Sequence, residues 1–270
     1  MTSLRAGTAD GQAGLDAVVA DPARALIASD FDGTLSPIVA DPAAAALPGA
    51  AAALAGLGTR AGTVAIITGR PAAEAVRLGG FDGVPGLIIL GHYGAERWQS
   101  GTVTAARPPD GVAAARRALP GVLAAAGAAD GTKLEDKGTA LAVHTRQAAD
   151  PAAALARLRE PLATLAAAAG LTLEPGRFVL ELRPPGIDKG AALRALVSER
   201  EARAVVFCGD DLGDLAAFAA IRELRADGVP GCAVASRSEE SPQVAAAADL
   251  VVDGPAGVVR LLGELAAAIG

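Results

Sequence analysis

Short apolar runs recur along this chain, each closed by a polar or glycine-rich turn and followed by a stretch of helical composition. Leu26-Ile27 leads to Asp30, Thr63-Val64-Ala65-Ile66-Ile67 stops at Thr68-Gly69-Arg70-Pro71, and Leu87-Ile88-Ile89-Leu90 ends in Gly91-His92-Tyr93-Gly94-Ala95-Glu96. A short helix-like segment, Leu15 to Ala20, precedes them. Pro48 to Gly58 reads as a helix with proline in its first turn and glycines toward its end, and another helix starts at Pro71. Apolar strands of this length alternating with helices predict a parallel sheet covered on both faces.

The texture changes after Trp98. Helix-like segments at Gly111 to Ala126 and Pro151 to Ala169 are interleaved with runs that alternate like half-exposed strands, Lys133 to Asp136, Thr139 to Thr145 and Arg177 to Arg183. Two helices on an antiparallel sheet fit this block. The first pattern resumes at Ile187, with a helix opening at Lys189, an apolar strand Ala204 to Cys208, further short strands at Ala233 to Ala235 and Leu250 to Val252, and a closing helix from Pro255 to Ile269. The expected fold class is α/β, a Rossmann-like parallel sheet core with helices on both faces and an inserted α/β domain with an antiparallel sheet. The expected boundaries are a flexible tail at 1–13, a core formed by 14–102 and 186–270, and an insert at 103–185. Alanine tracts such as Ala43 to Ala46 and Ala166 to Ala169 read as helix filler without site information.

Composition narrows the partners. A chain of 270 residues with 51% hydrophobic content has enough material for one large core or two modest ones. The net charge of -6, with no block of lysine and arginine, argues against nucleic acid or an anionic membrane as main partner and leaves room for a small anionic substrate whose charge is met locally. Cys208 and Cys232 lie in apolar runs and read as small buried hydrophobes. Met1 to Gly14 is polar and small, without the apolar core of a signal peptide, and no window reaches the eighteen or so strongly apolar residues of a membrane span. The expectation is a cytoplasmic protein, taken as monomeric.

The candidate chemistry sits where strands end. Asp30-Phe31-Asp32-Gly33-Thr34 places two carboxylates two residues apart after the first strand; Asp and Gly also make ordinary surface turns, so this stretch alone does not decide. Thr68 follows the second strand, and Gly209-Asp210-Asp211-Leu212-Gly213-Asp214 follows the strand at Ala204 to Cys208, with Lys189 at a helix N-terminus. In a doubly wound sheet the carboxyl ends of the strands face one crevice, so these groups are expected to converge. Clustered carboxylates suit Mg²⁺, which prefers oxygen ligands and usually keeps waters and substrate phosphate oxygens. Lysine and a hydroxyl offset the repulsion between phosphate and acid.

In their residues and order these segments resemble the four motifs of the haloacid dehalogenase-like phosphatases. Ile66-Ile67-Thr68-Gly69-Arg70, Gly94-Ala95-Glu96, Glu135-Asp136-Lys137-Gly138, Val143-His144-Thr145-Arg146 and Glu181-Leu182-Arg183-Pro184 are most similar to the branch that acts on trehalose 6-phosphate, whose members carry an α/β cap. The resemblance implies hydrolysis of trehalose 6-phosphate to trehalose and phosphate, with a cap closing over the core. It makes Asp30 the nucleophile, Asp32 the general acid and base, and Thr68 and Lys189 the phosphoryl-binding groups. Mg²⁺ would be held by Asp30, the Asp32 carbonyl and Asp210, supported by Asp211 and Asp214. It implies substrate contacts from Gly33, Arg70, His92, Gly94, Glu96, Lys137, His144, Arg146, Glu181 and Arg183. One departure is that the histidine expected just before Gly94 is displaced to His92, with Tyr93 in its place. A phosphatase for sucrose phosphate or mannosyl-3-phosphoglycerate, or a non-catalytic sugar-phosphate sensor, are the alternatives. Asp214 is read equally well as metal support or as a residue that caps the helix from Leu215 or holds Lys189.

Overall fold

The structure, a computed structural model, describes residues 4–38, 48–105, 110–176, 178–237 and 242–270. Ala43 to Ala46 and Arg177, read above as helix and strand, lie outside them. The first part of the chain contains α1 (Ala9–Ala20), β1 (Ala25–Ser29), α2 (Ala50–Gly58), β2 (Thr63–Ile67), α3 (Ala72–Gly79), β3 (Ile88–Gly91), β4 (Glu96–Gln99) and β5 (Thr102–Ala105). The middle contains α4 (Asp110–Ala125), β6 (Lys133–Asp136), β7 (Leu141–His144), α5 (Pro151–Ala168), β8 (Thr172–Gly176) and β9 (Val179–Arg183). The last part contains α6 (Lys189–Glu199), β10 (Ala204–Gly209), α7 (Leu215–Ala226), β11 (Gly231–Ser236), α8 (Pro242–Ala247), β12 (Leu250–Val252) and α9 (Gly254–Ala268). The chain divides into two compact units, Met1–Thr104 with Asp188–Gly270, and Ala105–Ile187.

The first unit is built on an eight-stranded sheet in the order β12-β11-β10-β1-β2-β3-β4-β5, parallel from β12 through β3. Strand alternation sorts its side chains into two cores. Ile27, Ile66, Ile89, Val206, Cys208, Cys232 and Val234 face one side, where residues of α1, α2, α3 and α9 cover them. Leu26, Ala28, Ile67, Leu90, Val205 and Phe207 face the other, under α6, α7 and α8. Both faces are buried, which is why these strands read as continuous apolar runs. Both cysteines are free and buried.

Two features differ from the expected pattern. Helix α1 starts at Ala9, not Leu15, so residues 9–13, assigned to the tail, are helical. The start signal is polar: the Thr8 hydroxyl accepts from the Gly11 N–H and donates to Asp249. In addition, β4 turns back antiparallel against β3, pairing Leu90 with Arg97 and Ile89 with Trp98. Its polar, half-exposed residues carry none of the apolar continuity that marked the parallel strands.

The second unit is an antiparallel sheet in the order β6-β7-β9-β8. Leu141, Val143, Leu180 and Leu182 pack on one face against Val112, Ala115 and Leu119 of α4 and Leu158, Leu162 and Ala166 of α5. Strand β8 escaped the sequence reading because it is short, contains Pro175 and lies at the sheet edge, where a missing N–H is tolerated. By register, Glu135, Ala142, Glu181 and Glu174 line up across the other face, as do Lys133, His144 and Val179. Among the described residues, no helix is long and apolar enough to cross a membrane.

Candidate active site

The loop after β1 is anchored by the side chain between its two acids. Phe31 is fully buried and meets Phe81 edge-on, ring centroids 6.0 Å apart, while its carbonyl accepts from the N–H groups of Leu35 and Ser36. With Phe31 fixed in the core, the flanking Asp30 and Asp32 are held at the carboxyl end of the sheet. Asp30 also donates its N–H to the carbonyl of Cys208 in β10, 2.8 Å away, which brings the ends of β1 and β10 together.

Lys189 reaches this point from the first turn of α6, whose N-terminus is capped by Asp188. Its Nζ lies 2.9 Å from Asp30 Oδ2, 2.7 Å from Asp214 Oδ1 and 3.9 Å from Asp211 Oδ1. Asp214 is completely buried: Oδ1 takes the Lys189 ammonium, and Oδ2 accepts the N–H groups of Asp210 and Asp211 at 2.9 and 3.1 Å. Asp211 in turn accepts from the Gly213 N–H. Asp210 Oδ1 accepts the Thr34 hydroxyl at 2.9 Å. A Cβ on Gly33, whose φ is +73°, would stand 1.9 Å from Asp210 Oδ2, so only glycine leaves that carboxylate its place.

Carboxylate oxygens of Asp30, Asp210 and Asp214 lie within 4.8 Å of one another. Burial is the main reason that Asp30 sits well above the ordinary carboxylate range, with Lys189 opposing it. Burial and the neighbouring Asp214 and Asp211 push Asp210 to about 8, and burial against the pull of Lys189 leaves Asp214 at about 6. Burial draws Lys189 down, but Asp214 and Asp30 outweigh it and keep the ammonium protonated. One lysine cannot balance three ionised acids at once, so Asp30 and Asp210 hold protons that a cation would displace, and that is the chemistry of a cation site. Asp30 and Asp210 fit as direct ligands. Asp214 has both oxygens engaged by Lys189 and the backbone, which suits it to holding the lysine.

Thr68 is buried at the end of β2, its hydroxyl accepting from the Arg70 N–H at 3.2 Å. Arg70 bonds both oxygens of Asp32. The turn after β3 is fastened to this segment: Tyr93 N–H donates to the Thr68 carbonyl and His92 N–H to the Arg70 carbonyl. His92, Tyr93 and Gly94 all have positive φ, at 47, 58 and 102°. Tyr93 packs against Gly69, where a Cβ would come within 2.8 Å of its hydroxyl. Buried His92 lies 3.4 Å from Glu96 Oε1, while Glu96 Oε2 accepts the Ala72 N–H at the start of α3.

The remaining predicted residues belong to the second unit. Lys137 and Glu181 form a shielded ion pair at 2.5 Å, and Glu181 Oε1 is buried without a hydrogen-bond partner among the described residues. His144 meets Glu135 at 2.8 Å, Arg183 lies 3.4 Å from Glu174, and Arg146 is exposed just beyond β7. Three neighbours were not singled out by the sequence. Thr34 binds Asp210, the Ser236 hydroxyl binds the Gly33 carbonyl at 2.7 Å, and Arg116 clamps Asp136 and the Gly138 carbonyl. Ser236 is a polar residue at a strand end and was open to the same rule that found Thr68.

A parallel sheet with these aspartates at the ends of β1 and β10, interrupted by an α/β unit, is the haloacid dehalogenase-like fold. A haloacid dehalogenase-like hydrolase from Bacteroides thetaiotaomicron shares it at 18% identity, with a TM-score of 0.63 over 89% of this chain and 98% of that one. The trehalose-phosphatase family profile matches residues 28–256, and the chain belongs to that family. It is 36% identical over 258 residues to a trehalose-phosphate phosphatase of Mycobacterium marinum, covering 88% of this chain and 60% of the relative. The chain thus spans about three fifths of the length of the curated relatives it matches first. The structure of Aspergillus fumigatus trehalose-6-phosphate phosphatase is similar at 26% identity and a TM-score of 0.70, over 95% of this chain and 97% of that one.

Proposed function

We propose that this chain is a Mg²⁺-dependent phosphomonoester hydrolase that converts trehalose 6-phosphate to trehalose and phosphate through an aspartyl-phosphate on Asp30. The observation that carries this is the buried Asp30–Lys189 pair beside Asp210 at the end of the parallel sheet, in a chain of the trehalose-phosphatase family. Mg²⁺ would be held by Asp30, Asp210 and the Asp32 carbonyl, and when bound it supplies positive charge against the phosphoryl oxygens. Asp30 attacks phosphorus, dividing a difficult displacement into two steps. Lys189 fixes the orientation of Asp30 and, with Thr68, grips the phosphoryl group. Asp32 protonates the departing sugar oxygen and then takes a proton from the water that hydrolyses the acyl phosphate.

The second unit is the proposed cap, and its helix-free sheet face is the proposed sugar-recognition surface. Glu181 Oε1 is a buried acceptor that a sugar hydroxyl would satisfy, with Lys137 as a neighbouring donor. His144, Arg146 and Arg183 extend this polar array, while Gly33, His92, Gly94 and Glu96 belong to the phosphoryl side. The proposed setting is a cytoplasmic monomer, in keeping with two free thiols. The test is phosphate release from a panel of sugar phosphates with Mg²⁺, for the chain and for Asp30→Asn. Release from trehalose 6-phosphate that vanishes in Asp30→Asn is the expected result. Preference for sucrose phosphate would overturn the substrate, and no release from any member would overturn the enzyme.

A further inference from the structure

Asp32 has an unusual anchor. Its side chain is 41% exposed, so nothing in the core fixes its rotamer. The Arg70 guanidinium does so instead: Nε donates to Oδ2 and Nη2 to Oδ1, both at 2.7 Å, the two-pronged geometry that sets the plane of a carboxylate as well as its position. Arg70 is itself restrained on several sides. Its Nη1 donates to Glu74 Oε1 at 3.1 Å, its guanidinium carbon lies 5.7 Å from the centre of the Phe31 ring, and its backbone is tied to the Thr68 hydroxyl and the His92 N–H. Among the described residues, no other side chain bonds the Asp32 carboxylate.

Magnitudes separate two explanations of this pair. A partly exposed ion pair contributes about 0–1 kcal/mol to stability, too little to account for a fork restrained by four separate contacts. Orientation is a larger effect, because a misplacement of about 1 Å at a reacting group can cost about 100-fold in rate. We infer that Arg70 is a positioning residue for Asp32: its fork sets the plane and place of the carboxylate beside the crevice, and Glu74 keeps the guanidinium in place, still holding one Asp32 oxygen, when the other oxygen leaves the fork to serve the leaving group. This rests on the role of Asp32 as general acid and base proposed above, and it assigns Arg70 a different task from direct substrate binding.

The test compares a substrate that needs a proton donor with one that does not. An alkyl phosphate such as trehalose 6-phosphate expels an alkoxide and depends on Asp32; p-nitrophenyl phosphate expels a stabilised phenolate and depends on it little. Single-turnover measurements read the first step for the chain, Arg70→Ala, Arg70→Lys and Glu74→Gln. In Arg70→Ala, loss of the sugar is expected to slow by about 10- to 100-fold with KM nearly unchanged, while p-nitrophenol release changes by no more than about threefold. Arg70→Lys, which keeps the charge without the fork, restores part of the loss, and Glu74→Gln shows a smaller loss of the same pattern. Should Arg70→Ala fail to fold, the other two variants decide. Should the chain ignore the aryl phosphate, the fall in kcat at constant KM and its partial recovery in Arg70→Lys decide. Equal losses on both substrates, or a raised KM at unchanged kcat, would overturn the inference alone. An unsubstituted chain that releases phosphate from neither substrate would overturn the inference together with the proposed function.

Discussion

Replacing Gly33 with alanine tests the site at its tightest point. Two costs add. With φ at +73°, any L side chain occupies the left-handed region, at roughly 1–2 kcal/mol. The new Cβ would also stand 1.9 Å from Asp210 Oδ2 and 2.2 Å from Cγ, so the carboxylate must retreat by about 1.5 Å to reach ordinary contact. That retreat breaks the 2.9 Å bond from the Thr34 hydroxyl, and above about pH 8, where Asp210 is ionised, such a bond to a charged group contributes about 1.5–3 kcal/mol. The expected destabilisation is about 3–4 kcal/mol, with loss of phosphate release because Asp210 no longer stands beside Asp30. Gly228→Ala is the control: φ is +84° and nothing lies within 4 Å of its Cβ, so only the backbone cost of about 1–2 kcal/mol remains. Urea unfolding of the two variants, with phosphate-release assays beside it, measures both consequences. Equal destabilisation of the two, with activity kept in Gly33→Ala, would refute the packing of Asp210 against Gly33.

Further outcomes follow from other parts of the molecule. Asp210 and Asp214 titrate at about 8 and 6 in the folded chain against 3.8 as the ordinary value, so the native state binds more protons across that window. Their contribution is fully present below pH 3.8 and is lost as pH rises through about 8; Mg²⁺ is therefore expected to raise Tm more at pH 8 than at pH 5, and a chelator to remove the gain, as thermal unfolding with and without EDTA will show. Asp249→Ala removes the acceptor for Thr8, Arg225 and the Ala233 N–H at once, and is expected to cost about 3 kcal/mol in urea with turnover unaffected; a change under 1 kcal/mol, within the range of an ordinary surface substitution, would contradict that anchoring of α1. Glu181→Gln weakens the shielded pair with Lys137, and a roughly tenfold rise in KM for the sugar phosphate, with p-nitrophenyl phosphate turnover unchanged, is the expected steady-state result.

The parallel strands were legible because both of their faces are buried, which forces an unbroken apolar run and leaves polar side chains at the carboxyl ends to converge. The gathering of Asp30, Asp210, Asp214 and Lys189 follows from that topology. Strands β4 and β8 were not legible, since these half-exposed strands show neither apolar continuity nor firm alternation, and β8 lies at the edge of its sheet. Within the cluster, Asp210 reads from the sequence as a metal ligand, while Asp214 stays open between metal support and a cap or Lys189 partner. The capping turn decides it by aiming Asp214 Oδ2 at two backbone N–H groups and Oδ1 at Lys189, leaving Asp210 to face Asp30. Gly209 permits this, because a Cβ there would fall 2.3 Å from Asp214 Cγ. Spacing decides which groups arrive at the crevice. What each then does is decided by which of its oxygens the backbone has already occupied, and in Asp214 both are taken.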